Sequence, residues 1–415
     1  MCSDTRVVVS GMGTINPLGL NVETTWQNLL AGKSGVRRFE RFDVSQFRTK
    51  IAAEVRDFDP AHYMSRKEAK RMDRFVQFAY ASTAQALEQA NLIIDEDIAD
   101  DVGVIFGTGL GGFMTVDEGY RVLREKGPGR VSPLVSMMIL PNMAAAQISI
   151  SFGARGPNYC VVSACATGTT AVGEAFETIR RGDAQIMVAG GSEAIFVPLL
   201  LAAFDRTLGL SAANDEPERA CRPFDARRDG LVMGEGAGTV ILEKLEVART
   251  RGSNILAEVV GYGATCDAFH ISVPVEGGSG AAIAMAKALK KAGLEPQEID
   301  YINAHGTATP LNDKNETRAI KEVFGDYAYE IPISSTKSMT GHLSAAAGVV
   351  EAIVCVMTIR DDIIHPTINY EHPDPDCDLD YVPNRARKAK VRTALSNSFG
   401  LGGHNACLVL KQFSE

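Results

Sequence analysis

Short apolar runs alternate with longer amphipathic stretches along the whole chain, and this alternation limits the possible folds more than any other feature. The runs are rich in β-branched residues and predict strands over residues 6–10, 102–106, 185–189, 238–242, 257–262, 299–303, 331–335 and 392–396. Helical periodicity lies between them, over residues 73–90, 169–181, 280–292, 315–324 and 345–360. Apolar strands that are separated by helices predict an α/β protein with buried, mostly parallel sheets.

Three segments of the first half return in the same order in the second half. The segment VGVIFGTG (102–109) resembles IDYINAHGTAT (299–309), and CVVSACATGTTAVGEAFETI (160–179) resembles PISSTKSMTGHLSAAAGVVEAIVCVMTI (332–359). In the same relative place, QIMVAGGSEA resembles TALSNSFGLGG. The shared order predicts a duplicated fold with halves at residues 1–253 and 254–415. Because no Pro- or Ser-rich linker separates the halves, we expect them to pack as one body.

The charge and hydropathy of the chain exclude several classes of protein. Its 415 residues include 42 Lys and Arg against 51 Asp and Glu, which gives a formal charge of −9. General nucleic-acid binding needs a net basic face, so it is not expected. The longest apolar stretch, near residues 196–204, is too short to span a bilayer, and no secretory signal is read at the start. We therefore expect a cytoplasmic protein without a membrane segment.

The sequence gives no sign of a metal centre or a bound cofactor. Its eight cysteines form no CxxC pair and no cluster with zinc-ligand spacing. GTGLGG (107–112) satisfies the GxGxxG pattern, but the second strand and the acidic residue of a dinucleotide site do not follow it. We expect neither a catalytic metal nor a cofactor.

One cysteine stands where a nucleophile would be activated. In SACATGTT (163–170), a strand over residues 159–162 ends and a helix of small residues begins close to Cys165. A thiol at a helix N-terminus faces unpaired amides and the positive end of the dipole, so its pKa is expected to fall. A buried core cysteine is the alternative, and it is the commoner state of a cysteine. The position and the small neighbours favour the functional interpretation.

Three further segments carry residues that are suited to catalysis. His305 lies in NAHGTATPLND (303–313), directly after a strand. A catalytic histidine and a histidine that only donates to a backbone carbonyl are equally expected at this position. Lys337 and His342 lie in SSTKSMTGH (334–342), which could also be a helix N-cap with a solvated lysine. The glycines of NSFGLGGHN (397–405) suit an oxyanion hole built from amides, or else a simple hairpin turn.

Together these segments resemble the elongating β-ketoacyl-acyl-carrier-protein synthases, and among them the bacterial type II enzymes of the synthase II kind. RVVVSGMGTINPLG at the start and RPFDARRDGLVMGEGAG (222–238) are similar to the same family, so the resemblance covers nearly the whole chain. It implies a thiolase-like duplicated fold in a layered α-β-α-β-α sandwich, normally as a homodimer.

The resemblance also assigns catalytic roles. Cys165 matches the nucleophile that receives the acyl chain from the carrier protein as a thioester. His305 and His342 match the pair that promotes malonyl decarboxylation and holds the thioester oxygen of the enolate. Lys337 matches the lysine that supports the second histidine, and Glu351 matches its glutamate partner. Thiolate chemistry fits this assignment, because a thiolate is both a nucleophile and a leaving group.

Other positions would shape the site around these groups. The resemblance places the oxyanion hole at the backbone amides of Cys165 and Leu401, with Phe399 and Asp313 as supporting residues. Many relatives read NSFGFGG, with a second Phe that gates the acyl pocket, and Leu401 replaces that Phe here. Leu110 would line the deep end of the pocket. We therefore expect the leucine gate to affect chain-length or branched-chain preference.

The family's carrier protein is acidic, so a basic docking surface is expected on this acidic enzyme. The segment 65–74 carries five cations on about two helical turns. They are Arg66, Lys67, Lys70, Arg71 and Arg74. A solvated helix face is the alternative interpretation of any one of them.

The expected function is decarboxylative condensation of an enzyme-bound acyl chain with malonyl-acyl carrier protein in fatty acid elongation. The product would be a 3-oxoacyl-acyl carrier protein. A polyketide or specialised-lipid ketosynthase of the same chemistry is the alternative, and a non-catalytic chain-length partner subunit is a third hypothesis. Cys165 argues against the third, because such subunits lack the cysteine. A thiolase would need a second catalytic cysteine in a matching motif.

Overall fold

The computed structural model describes residues 5–415, which form fourteen strands and thirteen α-helices. The strands are β1 (Val7–Ile15), β2 (Arg37–Arg38), β3 (Ile51–Ala52), β4 (Val102–Gly107), β5 (Asn158–Tyr159), β6 (Ile186–Glu193), β7 (Gly236–Lys244), β8 (Ala257–Cys266), β9 (Tyr301–Asn303), β10 (Ile333–Ser334), β11 (Ile363–Ile364), β12 (Arg387–Lys388), β13 (Thr393–Gly400) and β14 (His404–Lys411). The helices are α1 (Val22–Leu30), α2 (Arg66–Ala69), α3 (Arg74–Gln89), α4 (Phe113–Lys126), α5 (Val135–Met138), α6 (Met143–Phe152), α7 (Thr167–Arg181), α8 (Pro198–Arg206), α9 (Leu245–Thr250), α10 (Ser279–Ala292), α11 (Pro310–Phe324), α12 (Lys337–Thr340) and α13 (Ala347–Asp361).

Ten strands are joined by hydrogen bonds in the order β10-β9-β13-β14-β8-β1-β7-β6-β4-β5. Five come from each half of the chain. When the strands are numbered within their own half, both halves have the order 3-2-4-5-1 from the outer edge to the centre. The halves meet where β1 pairs antiparallel with β8, at Val7 opposite Val259. The repeated order supports the division that we propose between residues 253 and 254.

The expectation of mostly parallel sheets is wrong. Among the nine pairings of this sheet, five are antiparallel and four are parallel. The apolar pattern misled us because a strand that is buried on both faces is apolar throughout, whatever the direction of its neighbours. In β1 and β6, for example, every residue is buried.

The helices pack in layers around the strands and confirm the layered α/β architecture. Helix α3 packs on β1, β6 and β7 of the first half, and α10 packs on β8 and β14 of the second half. Helices α7 and α13 lie in the middle, where they contact each other and strands of both halves. Their close approach requires Gly168, since a Cβ there would lie 2.7 Å from the Val349 amide nitrogen. In residues 5–415, no helix is both long and apolar enough to cross a membrane.

Candidate active site

Cys165 lies in the middle of a one-turn 3-10 helix, Ala164–Ala166, that leads directly into α7. Ala164 has a left-handed conformation with φ 50°, which gives the chain a sharp bend before the helix. The predicted strand before the cysteine is shorter than expected, because β5 ends at Tyr159. The turn itself has a counterpart in the second half, where Ser344 also has φ 50° and the turn leads into α13. Ala345 stands there in the place of the cysteine.

The electrostatic surroundings of the thiol differ from the prediction. Burial raises the pKa of Cys165 to about 11, although the charge of Lys337 and the amides of Leu401 and Cys165 itself act in the opposite direction. The helix start alone predicts a lowered pKa, and it could not reveal how closely other segments surround this partly buried thiol. The resting group is therefore a thiol at neutral pH. The two amides that act on its sulfur are those assigned to the oxyanion hole.

The end of β13 lies directly against the cysteine turn. A Cβ on Gly400 would lie 2.7 Å from the carbonyl oxygen of Ser163 and 3.1 Å from the amide nitrogen of Cys165, so a side chain here would push the two segments apart. Nearby, the Thr169 and Ser398 hydroxyls are 2.7 Å apart and join α7 to β13. The side chain of Leu401, which follows Gly400, is 50% exposed at the surface of this turn. The structure thus brings together the cysteine of one half and the glycine segment of the other.

His305 and His342 lie side by side, with ring centroids 5.4 Å apart and planes at 85°. Phe399 contacts the first ring at 5.5 Å. Burial lowers the pKa of His305 well below its usual value and that of His342 to about 3, and the charge of Lys337 adds to both shifts. Both imidazoles are therefore neutral. His342 Nδ1 accepts the Ser344 amide at 3.3 Å, which leaves the ring proton on Nε2 as a donor.

Lys337 and Glu351 form a buried ion pair behind the histidines. Lys337 Nζ lies 2.5 Å from Glu351 Oε1, and the two side chains are 1% and 2% exposed. Burial raises the pKa of the Glu351 carboxyl, and the adjacent ammonium opposes that shift. Lys337 opens the short helix α12, whereas Glu351 lies one turn into α13. The predicted alternative of a solvated lysine is thus wrong.

Two carboxylates around the histidine loop have structural contacts, and one of them was not predicted. This residue, Glu316, accepts the amides of His305 and Gly306, both at 2.8 Å, and burial raises its pKa to about 7. The predicted supporting residue Asp313 accepts the Phe224 amide at 2.8 Å and pairs with Arg228 at 3.6 Å. Glu316 lies three residues after Asp313 on α11, so the helical spacing of the two acids was the available signal.

Leu110 lies in the turn after β4 and packs against a buried apolar cluster that includes Phe196 and Leu200. A second missed carboxylate holds this turn. Glu193, at the end of β6, accepts the amides of Gly109 at 2.8 Å and Leu110 at 3.3 Å. Burial raises the pKa of Glu193 to about 7. The inward direction of this carboxyl was not predictable, because Glu193 lies beyond the predicted strand of residues 185–189, at a position that is usually open to solvent.

The predicted basic segment is not one continuous two-turn helix. Helix α2 covers only Arg66–Ala69, and α3 begins at Arg74. The first four cations of the segment are exposed and have no ion pair within residues 5–415; they are Arg66, Lys67, Lys70 and Arg71. Arg74 differs, since it donates to Val55 O at 3.0 Å, lies 3.4 Å from Glu235 and covers the Phe78 ring. Arg74 is therefore held by the fold and is not free for docking.

Two family models match consecutive parts of the chain. Residues 4–248 match the beta-ketoacyl synthase N-terminal domain, and residues 256–371 match the beta-ketoacyl synthase C-terminal domain. A 3-oxoacyl-[acyl-carrier-protein] synthase 2 of Synechocystis is 51% identical over 98% of each chain. An enzyme of the same name from Staphylococcus aureus is 48% identical over 100% of both chains.

Solved structures of ketosynthases have the same fold. A beta-ketoacyl synthase of Burkholderia phymatum has a TM-score of 0.92 at 36% identity, over 99% of this chain and 100% of that one. The ishigamide ketosynthase/chain length factor has a TM-score of 0.92 at 37% identity, with the same coverage. A type II polyketide ketosynthase in complex with its acyl-carrier protein has a TM-score of 0.91 at 36% identity, also over 99% and 100%. The chain therefore belongs to the β-ketoacyl synthase family, and within it to the condensing acyltransferases of the synthase 2 type.

Proposed function

We propose that this enzyme condenses a Cys165-bound acyl chain with malonyl-acyl carrier protein and so elongates fatty acids. One observation carries the proposal: β13 contacts both catalytic segments, since Phe399 lies 5.5 Å from the His305 ring and a Cβ on Gly400 would lie 3.1 Å from the Cys165 amide nitrogen. The end of this strand thus brings the nucleophile of the first half close to the two neutral imidazoles of the second, whose rings are 5.4 Å apart. The product is a 3-oxoacyl chain on the carrier protein.

The first half-reaction transfers the acyl chain to Cys165. Its sulfur attacks the carbonyl of the acyl thioester, and the bond from that carbonyl to the carrier's sulfur breaks. The carrier's sulfur takes up the proton that the cysteine gives up and is released as a thiol. Charge develops on the carbonyl oxygen in this step, and amides that point at it lower the barrier. The amides of Cys165 and Leu401 supply these donors, since both already act on the sulfur.

The second half-reaction releases carbon dioxide from malonyl-acyl carrier protein. The bond between the malonyl carboxylate and its neighbouring carbon breaks, and its electron pair passes into an enolate on the thioester. Neutral imidazoles can donate N–H bonds to the enolate oxygen, and low dielectric strengthens those bonds. His342 has its ring proton on Nε2, and His305 lies beside it. The enolate carbon then attacks the acyl thioester, and the Cys165 thiolate leaves.

Fatty acid elongation is favoured over polyketide synthesis by the pattern of similarity. The full-length relatives at 48–51% identity are named 3-oxoacyl-[acyl-carrier-protein] synthase 2. The structures whose titles mention a polyketide synthase or a chain length factor are 36–37% identical. A non-catalytic partner subunit is disfavoured because Cys165 is present.

We assign carrier docking to the exposed basic surface of Arg66, Lys67, Lys70 and Arg71. These side chains are exposed and have no partner within residues 5–415. A capping box between Ser65 and Glu68 stabilises the start of α2, which carries Arg66 and Lys67, and Lys70 is the C-cap residue of this helix. Their charge is opposite to that of an acidic carrier protein and would steer its approach in the cytoplasm.

A homodimer is supported by exposed apolar side chains on consecutive elements of the first half. Tyr120 on α4 is 60% exposed, Met137 on α5 is 47% exposed and Ile150 on α6 is 74% exposed. Helix α4 contacts α5, and α6 contacts the edge strand β5. Large apolar side chains that are exposed on neighbouring elements are typical of an interface between protein chains. Ile150→Asp should therefore shift the protein from dimer to monomer in analytical ultracentrifugation, whereas Ile283→Asp, at a 51% exposed site on α10, should not.

Mass spectrometry of the acyl-enzyme tests the proposed function. The enzyme is incubated with acyl carriers of graded chain length, and the acyl mass should appear on the peptide that contains Cys165. Cys165→Ala should abolish both acylation and condensation. Cys160→Ala is the matched control, because Cys160 is a second partly buried thiol in the same segment. Acylation that persists in Cys165→Ala would refute the assignment.

A further inference from the structure

His365 is a buried titratable group that the mechanism described above does not use. It follows β11, and its side chain is 0% exposed. Its Nδ1 lies 3.0 Å from the carbonyl oxygen of Pro366. Because a carbonyl can only accept, the ring proton lies on Nδ1 and Nε2 carries a free lone pair. Burial lowers the pKa of His365 to about 4, so the imidazole remains neutral.

Three hydroxyls converge on this lone pair. Nε2 lies 3.2 Å from Tyr301 Oη, 3.2 Å from Ser334 Oγ and 3.1 Å from Thr336 Oγ1. The side-chain amide of Asn303 donates to two of them, at 3.2 Å to the Tyr301 oxygen and at 2.9 Å to the Thr336 oxygen. Since the Thr336 oxygen accepts from Asn303, its own proton is available to Nε2. Nε2 of His365 can accept a hydrogen bond but cannot donate one, whereas each of the three hydroxyls can do both.

The cluster joins the two chain segments that carry the catalytic groups of the second half. Asn303 ends β9, two residues before His305. Thr336 directly precedes Lys337, the first residue of α12. The directions of both segments therefore depend on a shared set of hydrogen bonds, which Nε2 of His365 completes.

We propose that His365 is a positioning residue for the decarboxylation half-reaction. Its Nε2 accepts a hydrogen bond from the hydroxyl cluster of Tyr301, Ser334 and Thr336 and so fixes the segments of His305 and Lys337 relative to each other. This inference rests on the proposed function, in which His305 stabilises the enolate.

Acyl transfer to Cys165 should depend much less on this cluster. The cysteine turn is held by contacts of its own, through the close approach of Gly400 and the 2.7 Å contact between the Thr169 and Ser398 hydroxyls. A purely structural role of His365 would affect both half-reactions to a similar degree. A variant that slows decarboxylation but not acyl transfer therefore indicates a positioning role, whereas a variant that slows both indicates a loss of stability.

The experiment compares His365→Phe, which fills the site without an acceptor, with His365→Gln, whose amide oxygen can replace Nε2. The two rates are the transfer of an acyl chain from carrier protein to Cys165 and the release of carbon dioxide from malonyl-carrier protein. For His365→Phe we expect transfer within about twofold of the unmodified enzyme and decarboxylation reduced about tenfold. His365→Gln should restore most of the decarboxylation.

Controls make each outcome decisive. Trp26→Phe removes a partly buried hydrogen bond, which Trp26 Nε1 donates to Asp361 at 2.7 Å, and should leave the ratio of the two rates unchanged. If His365→Phe does not fold, His365→Asn replaces it, because its short amide keeps a donor for Pro366 and withdraws the acceptor from the hydroxyls. If the ratio of decarboxylation rate to transfer rate in the His365 variant lies within about twofold of the ratio in the unmodified enzyme, the proposal is overturned. If the unmodified enzyme itself releases no carbon dioxide, the proposed function fails instead.

Discussion

Replacing Lys337 by methionine removes one partner of a buried ion pair and leaves Glu351 without its counter-charge. The two charged atoms are 2.5 Å apart, and neither side chain is more than 2% exposed. Removal of one member of such a pair costs about 3–5 kcal/mol, because the remaining charge stays buried. We therefore expect Lys337→Met to lower the free energy of unfolding by about 3–5 kcal/mol at about pH 8.

This loss should depend on pH, because Glu351 can take up a proton. Burial already raises the pKa of Glu351, and without the ammonium of Lys337 the shift becomes larger. A carboxyl whose pKa is higher in the folded than in the unfolded state costs stability as the pH rises through the folded value. The destabilisation of Lys337→Met should therefore be smaller at about pH 5 than at about pH 8.

Urea denaturation of the single and double variants measures both effects. An apolar pair of similar volume is often as stable as a buried ion pair, so Lys337→Met with Glu351→Leu should recover most of the loss. Arg121→Met is the matched control, since its pair with Glu118 is about half exposed and should contribute less than about 1 kcal/mol. A double variant that is no more stable than Lys337→Met would refute the reasoning.

Three further outcomes test the site. Burial raises the pKa of Cys165 to about 11, so the rate of its alkylation by iodoacetamide should rise about tenfold per pH unit between about pH 7 and pH 10. A rate that stops rising below about pH 9 would contradict this expectation. Leu401→Phe should change the acyl chain-length profile in an elongation assay more than it changes decarboxylation; an unchanged profile would remove Leu401 as a selectivity residue. Charge reversal at Lys67 and Arg71 should raise the KM for carrier-bound substrate about tenfold at low salt and less at high salt. The exposed Lys290 provides the control, since Lys290→Glu should leave that KM unchanged. If Lys290→Glu raises the KM as much as charge reversal at Lys67 and Arg71 does, the docking surface is contradicted.

The positions of the catalytic residues follow from local sequence patterns. A helix of small residues after Cys165, and a histidine after the strand that ends at Asn303, are each short-range signals. The ordered repeat of segments indicated a duplication, and the strand order agrees with it. These features were predictable because each depends on residues that are close together in the chain.

The environment of those residues was not predictable in the same way. The pKa of Cys165 rises because side chains from distant segments bury it, and no local pattern records that burial. Glu193 and Glu316 bind backbone amides that are 84 and 11 positions away in the sequence. Arg74 was assigned to a docking surface because its neighbours are basic, whereas its true partners, Val55 and Glu235, come from other parts of the chain.

The antiparallel pairing of β1 with β8 at the centre of the ten-stranded sheet has a mechanical consequence. Two lobes that are joined only by a linker can move apart by hinge motion. Here backbone hydrogen bonds between β1 and β8 cross the boundary, as at Val8 opposite Glu258. Separation of the halves would break these hydrogen bonds, so the pairing opposes a hinge motion between them. We therefore expect substrate entry and product exit to depend on movement of turns at the site and not on separation of the halves.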